Sequence, residues 1–221
     1  MDMPLDNKKE PTYITILLCK MQAVIDSFLS LICYHKTMRN LQELPGINPS
    51  PLLKEAVKHA AGTTALHLGA SSGRNSLFLA ANGFKVTAVD SNRSSLEVLS
   101  FAAHHADLPI GVLQADTSEF KPQTQYDLVL ASAMVHFFDR ESMVATIHMM
   151  QSITNPGGIN VLLISAENDG TGDRPKLFES GILTSYYDGW ELIMEEERLS
   201  QAADFADGGL HRAGLIAKRP G

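Results

Sequence analysis

Thr64-Ala-Leu-His-Leu-Gly-Ala-Ser-Ser-Gly-Arg-Asn-Ser-Leu-Phe-Leu-Ala-Ala-Asn-Gly-Phe-Lys-Val-Thr-Ala-Val-Asp90 is the stretch that decides how this chain folds. The short apolar run Ala65–Leu68 predicts a strand. Gly69 and Gly73 then bracket a tight turn, where absent side chains allow unusual backbone angles and close approach of a ligand. Arg74–Ala81 continues at helical spacing and stops at Asn82-Gly83. The free N–H groups at the start of such a helix point back toward the turn and favour the polar or anionic part of a nucleotide. A second strand, Lys85–Val89, delivers Asp90 at its carboxyl end, where a carboxylate can accept both hydroxyls of a ribose. Strand, turn, helix, strand and acid together predict a nucleotide site.

Working outward, the same alternation continues. Strands are expected near Gly111–Ala115, Asp127–Ala131 and Gly158–Ile164, with helices at Ser94–His104 and Arg140–Ser152 between them. Ser94-x-x-Glu97 reads as a capping box. Upstream, Ser50 with Pro51 predicts the start of a helix carrying Leu52, Leu53, Ala56, Val57 and Ala60 on one face. This pattern implies a parallel sheet covered on both faces, which binds ligands at the carboxyl ends of its strands. A helix around Leu177–Tyr187 and two apolar runs, Trp190–Met194 and Leu210–Ala217, with no helix between the runs, suggest an antiparallel pair at one edge.

A formal charge of −7 over 221 residues, without a long Lys/Arg run, argues against a nucleic-acid partner, which needs clustered cations. Cys19 and Cys33 match no metal or redox spacing, so a reducing cytoplasm and no structural disulfide are expected. His104-His105 with Asp107 reads as a polar helix end, and no metal is expected. The apolar segment Tyr13–Tyr34 is interrupted by Lys20, Gln22 and Asp26, which disfavours a membrane span, and no clean cleavage site supports a leader. Residues 1–48 are therefore expected to be an apolar helical extension, serving as a lid or as a contact between copies in a homo-oligomer, and residues 49–221 the main domain.

Four further stretches carry a resemblance. Gly73-Arg-Asn-Ser-Leu-Phe-Leu-Ala-Ala-Asn-Gly-Phe, Tyr126-Asp-Leu-Val-Leu-Ala-Ser, Asn155-Pro-Gly-Gly and Tyr186-Tyr-Asp-Gly-Trp-Glu together resemble the tellurite-resistance group of class I S-adenosylmethionine-dependent methyltransferases, from about Leu52 to Arg219. The resemblance implies an α/β, Rossmann-like, seven-stranded, mostly parallel sheet with helices on both faces and an antiparallel terminal pair. It implies S-adenosylmethionine as cofactor, with Gly69 and the turn (His67, Ser71, Gly73) at the methionine moiety and Asp90 with Ser91 at the ribose. Asp116 with Thr117 would then lie near the adenine amino group, and Ser132 beside the sulfonium. The acceptor is expected to be a small molecule; Tyr186, Tyr187 and Trp190 either line its pocket or form an aromatic seam that packs the terminal pair onto the sheet. His136, just past the fourth strand, is the candidate for deprotonating it.

The chain departs from that family at two places. The family's first strand ends in an acid followed by Gly-Cys-Gly-x-Gly, whereas here His67 precedes Gly69-Ala70-Ser71-Ser72-Gly73. An imidazole in place of an anion is expected to remove an attraction for the cationic cofactor and to add repulsion below about pH 7. Ser71 puts a Cβ where a glycine would let the backbone approach the ligand. By length the family's basic acceptor residues fall on Leu199, Ser200 and Asp207, so an oxyanion such as tellurite would lose its counter-charges; a realigned loop would instead put them on His211-Arg212, inside the last strand-like run. A repurposed protein that binds the cofactor without transferring methyl groups is the alternative. A short-chain-dehydrogenase-like nucleotide binder ranks behind both: Gly-Ala-Ser-Ser-Gly resembles its turn, but no tyrosine has a lysine four residues on, and Asn75 stands where a further glycine is expected.

Overall fold

The computed structural model describes residues 49–132, 140–167, 182–199 and 210–221, all within the unit Gly46–Gly221; the remainder of the chain, including the Tyr13–Tyr34 segment, lies outside the described residues. The elements, in order, are α1 (Pro51–Ala56), β1 (Thr64–Leu68), α2 (Arg74–Ala81), β2 (Lys85–Asp90), α3 (Arg93–His105), β3 (Ile110–Gln114) and β4 (Tyr126–Ser132). They are followed by α4 (Arg140–Ile153), β5 (Thr154–Glu167), α5 (Ile182–Ser185), β6 (Glu191–Leu199) and β7 (Leu210–Lys218). One seven-stranded sheet has the order β3-β2-β1-β4-β5-β7-β6. β7 runs antiparallel to both β5 and β6, and the other pairs are parallel. The expected α/β architecture with its antiparallel terminal pair is the one observed.

Alternation along the strands sorts the core into two layers. Leu66, Leu68, Val89, Val129, Ala131 and Leu162 face α4, which contributes Met143, Ile147, Met150 and Ile153. Ala65, Val86, Leu128, Leu130 and Val161 face the other way, onto Leu52, Leu53 and Ala56 of α1 and Leu79 and Ala80 of α2. A fully buried leucine such as Leu53 or Leu66 contributes roughly 1.5–3 kcal/mol. By the same alternation His67 shares its face with Ala65, and Ser132 with Leu128 and Leu130. Two polar side chains thus stand at the carboxyl end of an otherwise apolar row, beneath α2.

Helix ends differ from expectation in two places. Ser50 does cap α1, its Oγ accepting from Leu52 N at 3.2 Å, but the helix stops at Ala56 rather than reaching Ala60. For α3 the cap is Asn92, whose Oδ1 accepts from Ser95 N at 3.1 Å, and not Ser94; Glu97 pairs with Arg93 instead of closing a capping box. Three adjacent polar residues able to cap, Asn92, Ser94 and Ser95, make the start ambiguous in sequence, and asparagine in extended geometry wins here.

The amino ends of the central strands are tied by one carboxylate. Asp127 on β4 accepts from the backbone N–H and hydroxyl of Thr64 on β1 (2.9 and 2.7 Å) and from Asn155 Nδ2 on β5 (2.8 Å). Burial pushes this acid up, but those bonds outweigh it and hold it below the ordinary aspartate range. A second network, this one buried, lies nearby. Thr154 Oγ1 donates to Asn160 Oδ1 at 2.5 Å, and Asn160 Nδ2 donates to Tyr187 Oη at 3.2 Å.

Candidate active site at the carboxyl end of the sheet

The turn between β1 and α2 is built on left-handed backbone. Gly69 (φ 71°), Ser71 (φ 48°) and Gly73 (φ 93°) all take it, and only Ser71 does so with a side chain. A Cβ on Gly73 would sit 2.1 Å from Leu99 Cδ1, so glycine there also lets α2 pack against α3. The N–H groups of Gly69 and Ala70 both reach Val89 O (2.9 and 3.0 Å), which binds the turn to the end of β2.

Asp90 completes this clamp. Its Oδ2 accepts from Ser71 N and its Oδ1 from Asn92 N, each at 2.8 Å. Each oxygen keeps lone-pair capacity for a further donor, as a ribose diol would require. Next to it, Ser91 O accepts from Gln114 Nε2 at 3.2 Å. Asp116 closes a local turn, with Oδ1 accepting from the N–H and hydroxyl of Ser118 (2.9 and 2.6 Å). The hydroxyl and the N–H of Ser118 together hold Asp116 below the usual carboxylate range. Thr117 beside it is half-buried.

Beneath the turn lies a buried polar group of four. His67, 1 % exposed, has Nδ1 2.7 Å from Ser76 Oγ and Nε2 2.7 Å from Ser132 Oγ. Asn75 Nδ2 donates to Ser132 Oγ at 3.4 Å. Burial pushes the imidazole down to about 3; Asp90 opposes this weakly and Arg74 reinforces it. His67 is therefore neutral across the physiological range. The repulsion expected below about pH 7 does not arise, because an imidazole desolvated this completely gives up its proton instead.

Gly69, Ser71, Gly73, Asp90, Ser91, Asp116, Thr117, His67 and Ser132 thus lie at or beside the carboxyl ends of β1, β2, β3 and β4. The three aromatic residues expected to line the acceptor pocket do not. Glu191 pairs with Lys218 and Lys218 with Ile159, whereas Ser132 pairs with Leu163. Four residues of strand, about 13 Å, separate those levels. Tyr186, Tyr187 and Trp190, preceding β6, sit at the amino end, where Tyr186 O accepts from Gln151 Nε2 at the end of α4. Tyr187 is buried, its phenol pushed above its ordinary range by desolvation, and its ring meets Trp190 edge-on at 5.4 Å. Of the two roles the sequence leaves open for them, pocket lining or aromatic seam, their packing is that of the seam: Tyr187 belongs to the core, and Tyr186 and Trp190 pack against it. His136 lies outside the described residues. Asn75, which the sequence marks only as standing in place of a glycine, and Ser76 are not among the site residues expected from the sequence. The signal was present: two polar residues open a helix whose buried face is otherwise apolar, opposite a histidine in an apolar strand.

Comparison with known proteins decides the family. The model of the family described as tellurite resistance protein TehB matches residues 48–211. The chain belongs to the TehB family. It is 29% identical over 153 residues to a probable S-adenosyl-L-methionine-dependent methyltransferase TehB of Haemophilus influenzae, covering 66% of this chain and 52% of that protein. It is 32% identical over 180 residues to Hemagglutinin 1 of Eikenella corrodens, covering 76% and 59%. The crystal structure of TehB from Haemophilus influenzae superposes with a TM-score of 0.66 at 25% identity, covering 76% of this chain and 61% of that one. The chain spans about half the length of the curated TehB proteins it matches. Within the TehB fold, Leu199 closes β6 opposite His211, at the carboxyl end of the sheet.

Proposed function

We infer that the chain transfers the methyl group of S-adenosylmethionine to a small-molecule acceptor. The observation that carries this reading is the Asp90 clamp: one carboxylate fixes the left-handed turn through Ser71 and retains capacity on both oxygens, beneath the glycines that admit a ligand to the backbone. The buried residues fit the cofactor as well, since Asn75 Oδ1 is a buried acceptor with no protein partner. Gly69 and the turn would hold the methionine moiety, Asp90 with Ser91 the ribose, Asp116 with Thr117 the adenine, and Ser132 the neighbourhood of the sulfonium.

When bound, the cofactor supplies a methyl carbon already activated by its sulfonium. What is left to the protein is alignment and exclusion of water, and alignment alone can be worth several orders of magnitude in rate. The rigid Gly69–Gly73 turn, pinned to Val89 and Asp90, provides a fixed reference for the donor. His136, following β4, is the candidate for taking the proton of an acceptor hydroxyl or amine.

A second reading is favoured by His67, which removes the family's anion beneath the turn, and by Leu199, Ser200 and Asp207, which remove its basic acceptor residues. On that reading the chain binds S-adenosylmethionine or S-adenosylhomocysteine without efficient transfer. Methyl-labelled S-adenosylmethionine incubated with small amines, thiols and hydroxyl compounds separates the two. Labelled small product with matching S-adenosylhomocysteine supports transfer; cofactor binding with no turnover on any acceptor class supports the second reading.

A further inference from the structure

Among the described residues, one buried side-chain nitrogen or oxygen lacks a hydrogen-bond partner, and it is Asn75 Oδ1. Buried polar atoms are nearly always paired, so an orphan of this kind points to a partner not yet present. Asn75 is 4% exposed and stands in the first turn of α2, beside Ser132 at the carboxyl end of β4. Its other end is already committed. The carboxamide nitrogen donates into a chain that continues through Ser132 Oγ and the His67 imidazole to Ser76 Oγ. Ser76 is fully buried, so the chain is anchored at its far end and holds the carboxamide oxygen in place.

A fixed acceptor with a free lone pair suits an N–H donor, and a cationic one best. The group that bears such donors on S-adenosylmethionine and S-adenosylhomocysteine alike is the ammonium of the amino-acid arm. Where the family's first strand ends in an acid that could receive it, this chain has His67, which is neutral. We propose that Asn75 is a specificity-determining residue whose Oδ1 accepts from the cofactor's ammonium, with the Ser76–His67–Ser132 chain acting as its support. This assignment rests on the cofactor reading above. It makes the site recognise the amino-acid arm by a neutral, directional acceptor rather than by a charge.

The test is titration calorimetry on the full chain with three ligands: S-adenosylhomocysteine, its analogue lacking only the amino group, and 5′-methylthioadenosine, which lacks the whole arm. Asn75→Leu is expected to weaken S-adenosylhomocysteine by about tenfold or more, the equivalent of one charge-assisted hydrogen bond, while leaving the other two unchanged. Asn75→Asp preserves shape and acceptor and is expected to bind S-adenosylhomocysteine at least as tightly as the wild type. That rescue also serves if Asn75→Leu does not fold, because Asn75→Asp should widen the gap between S-adenosylhomocysteine and the deaminated analogue. Equal weakening of all three ligands by Asn75→Leu, no change in S-adenosylhomocysteine affinity, or an unwidened gap in Asn75→Asp would overturn the proposal. If the wild type binds none of the three, the cofactor reading falls first and this one with it.

Discussion

The two ends of the sheet hold polar networks of similar size and opposite character. At the amino end, Asp127 is shared by Thr64 and Asn155, and Thr154, Asn160 and Tyr187 satisfy one another. At the carboxyl end, Ser76, His67, Ser132 and Asn75 form a chain that stops one bond short. A closed network holds strands together and asks for nothing more. An open one beside a left-handed turn, in the place where this class of sheet receives ligands, is built for a partner. The aromatic cluster belongs with the closed end, which is why it gives no information about an acceptor.

The contrast can be broken most sharply at Gly73. Gly73→Ala puts a Cβ against Leu99 at left-handed φ, and is expected to cost about 2–4 kcal/mol in urea unfolding and to abolish cofactor binding. Asp127→Ala tests the other end. Three donors lose their acceptor, so a loss of about 2 kcal/mol is expected, with affinity for S-adenosylhomocysteine unchanged. A matching loss of affinity would mean that the two ends are not independent.

Acidification distinguishes the ends again. An unfolded histidine titrates near its ordinary value of about 6.5, while His67 in the fold is held down to about 3. Between those limits the unfolded chain binds a proton that the folded chain refuses, so stability falls as pH falls. The slope contributed by His67 approaches 1.4 kcal/mol per pH unit at most in that window. Chemical unfolding at pH 6 and pH 4 should show it, and His67→Asn should flatten it. An unchanged slope in the variant would place the titrating group elsewhere. The smallest effect is expected at Ser71. Relief of its left-handed strain in Ser71→Gly is partly offset by the greater freedom of glycine in the unfolded chain, leaving a gain of about 0.5 kcal/mol.

The fold was legible where punctuation and period agreed. α2 runs from Arg74 to Ala81 as read, because Gly73 opens it and Asn82-Gly83 ends it. The α3 cap was misplaced by two residues because adjacent polar residues compete for the role. The strand-end placement of the candidate site residues was legible, since Gly69, Asp90 and Asp116 each follow an apolar run. Two things required the structure. One was the register of β6, which runs parallel to β5 and so sends the residues before it to the amino end. The other was the pairing of His67 with Ser76 and Ser132. In sequence, His67 is an isolated oddity with an expected charge; its burial in the fold makes it neutral, and the hydroxyls on either side make it part of a chain.

Calorimetry of the wild-type chain with S-adenosylhomocysteine tests the central claim most directly. Binding in the micromolar range, little changed between pH 6 and pH 8 because His67 stays neutral, is the predicted result. No heat of binding at millimolar ligand, from a chain shown to be folded, would contradict the assignment of the open end as a cofactor site.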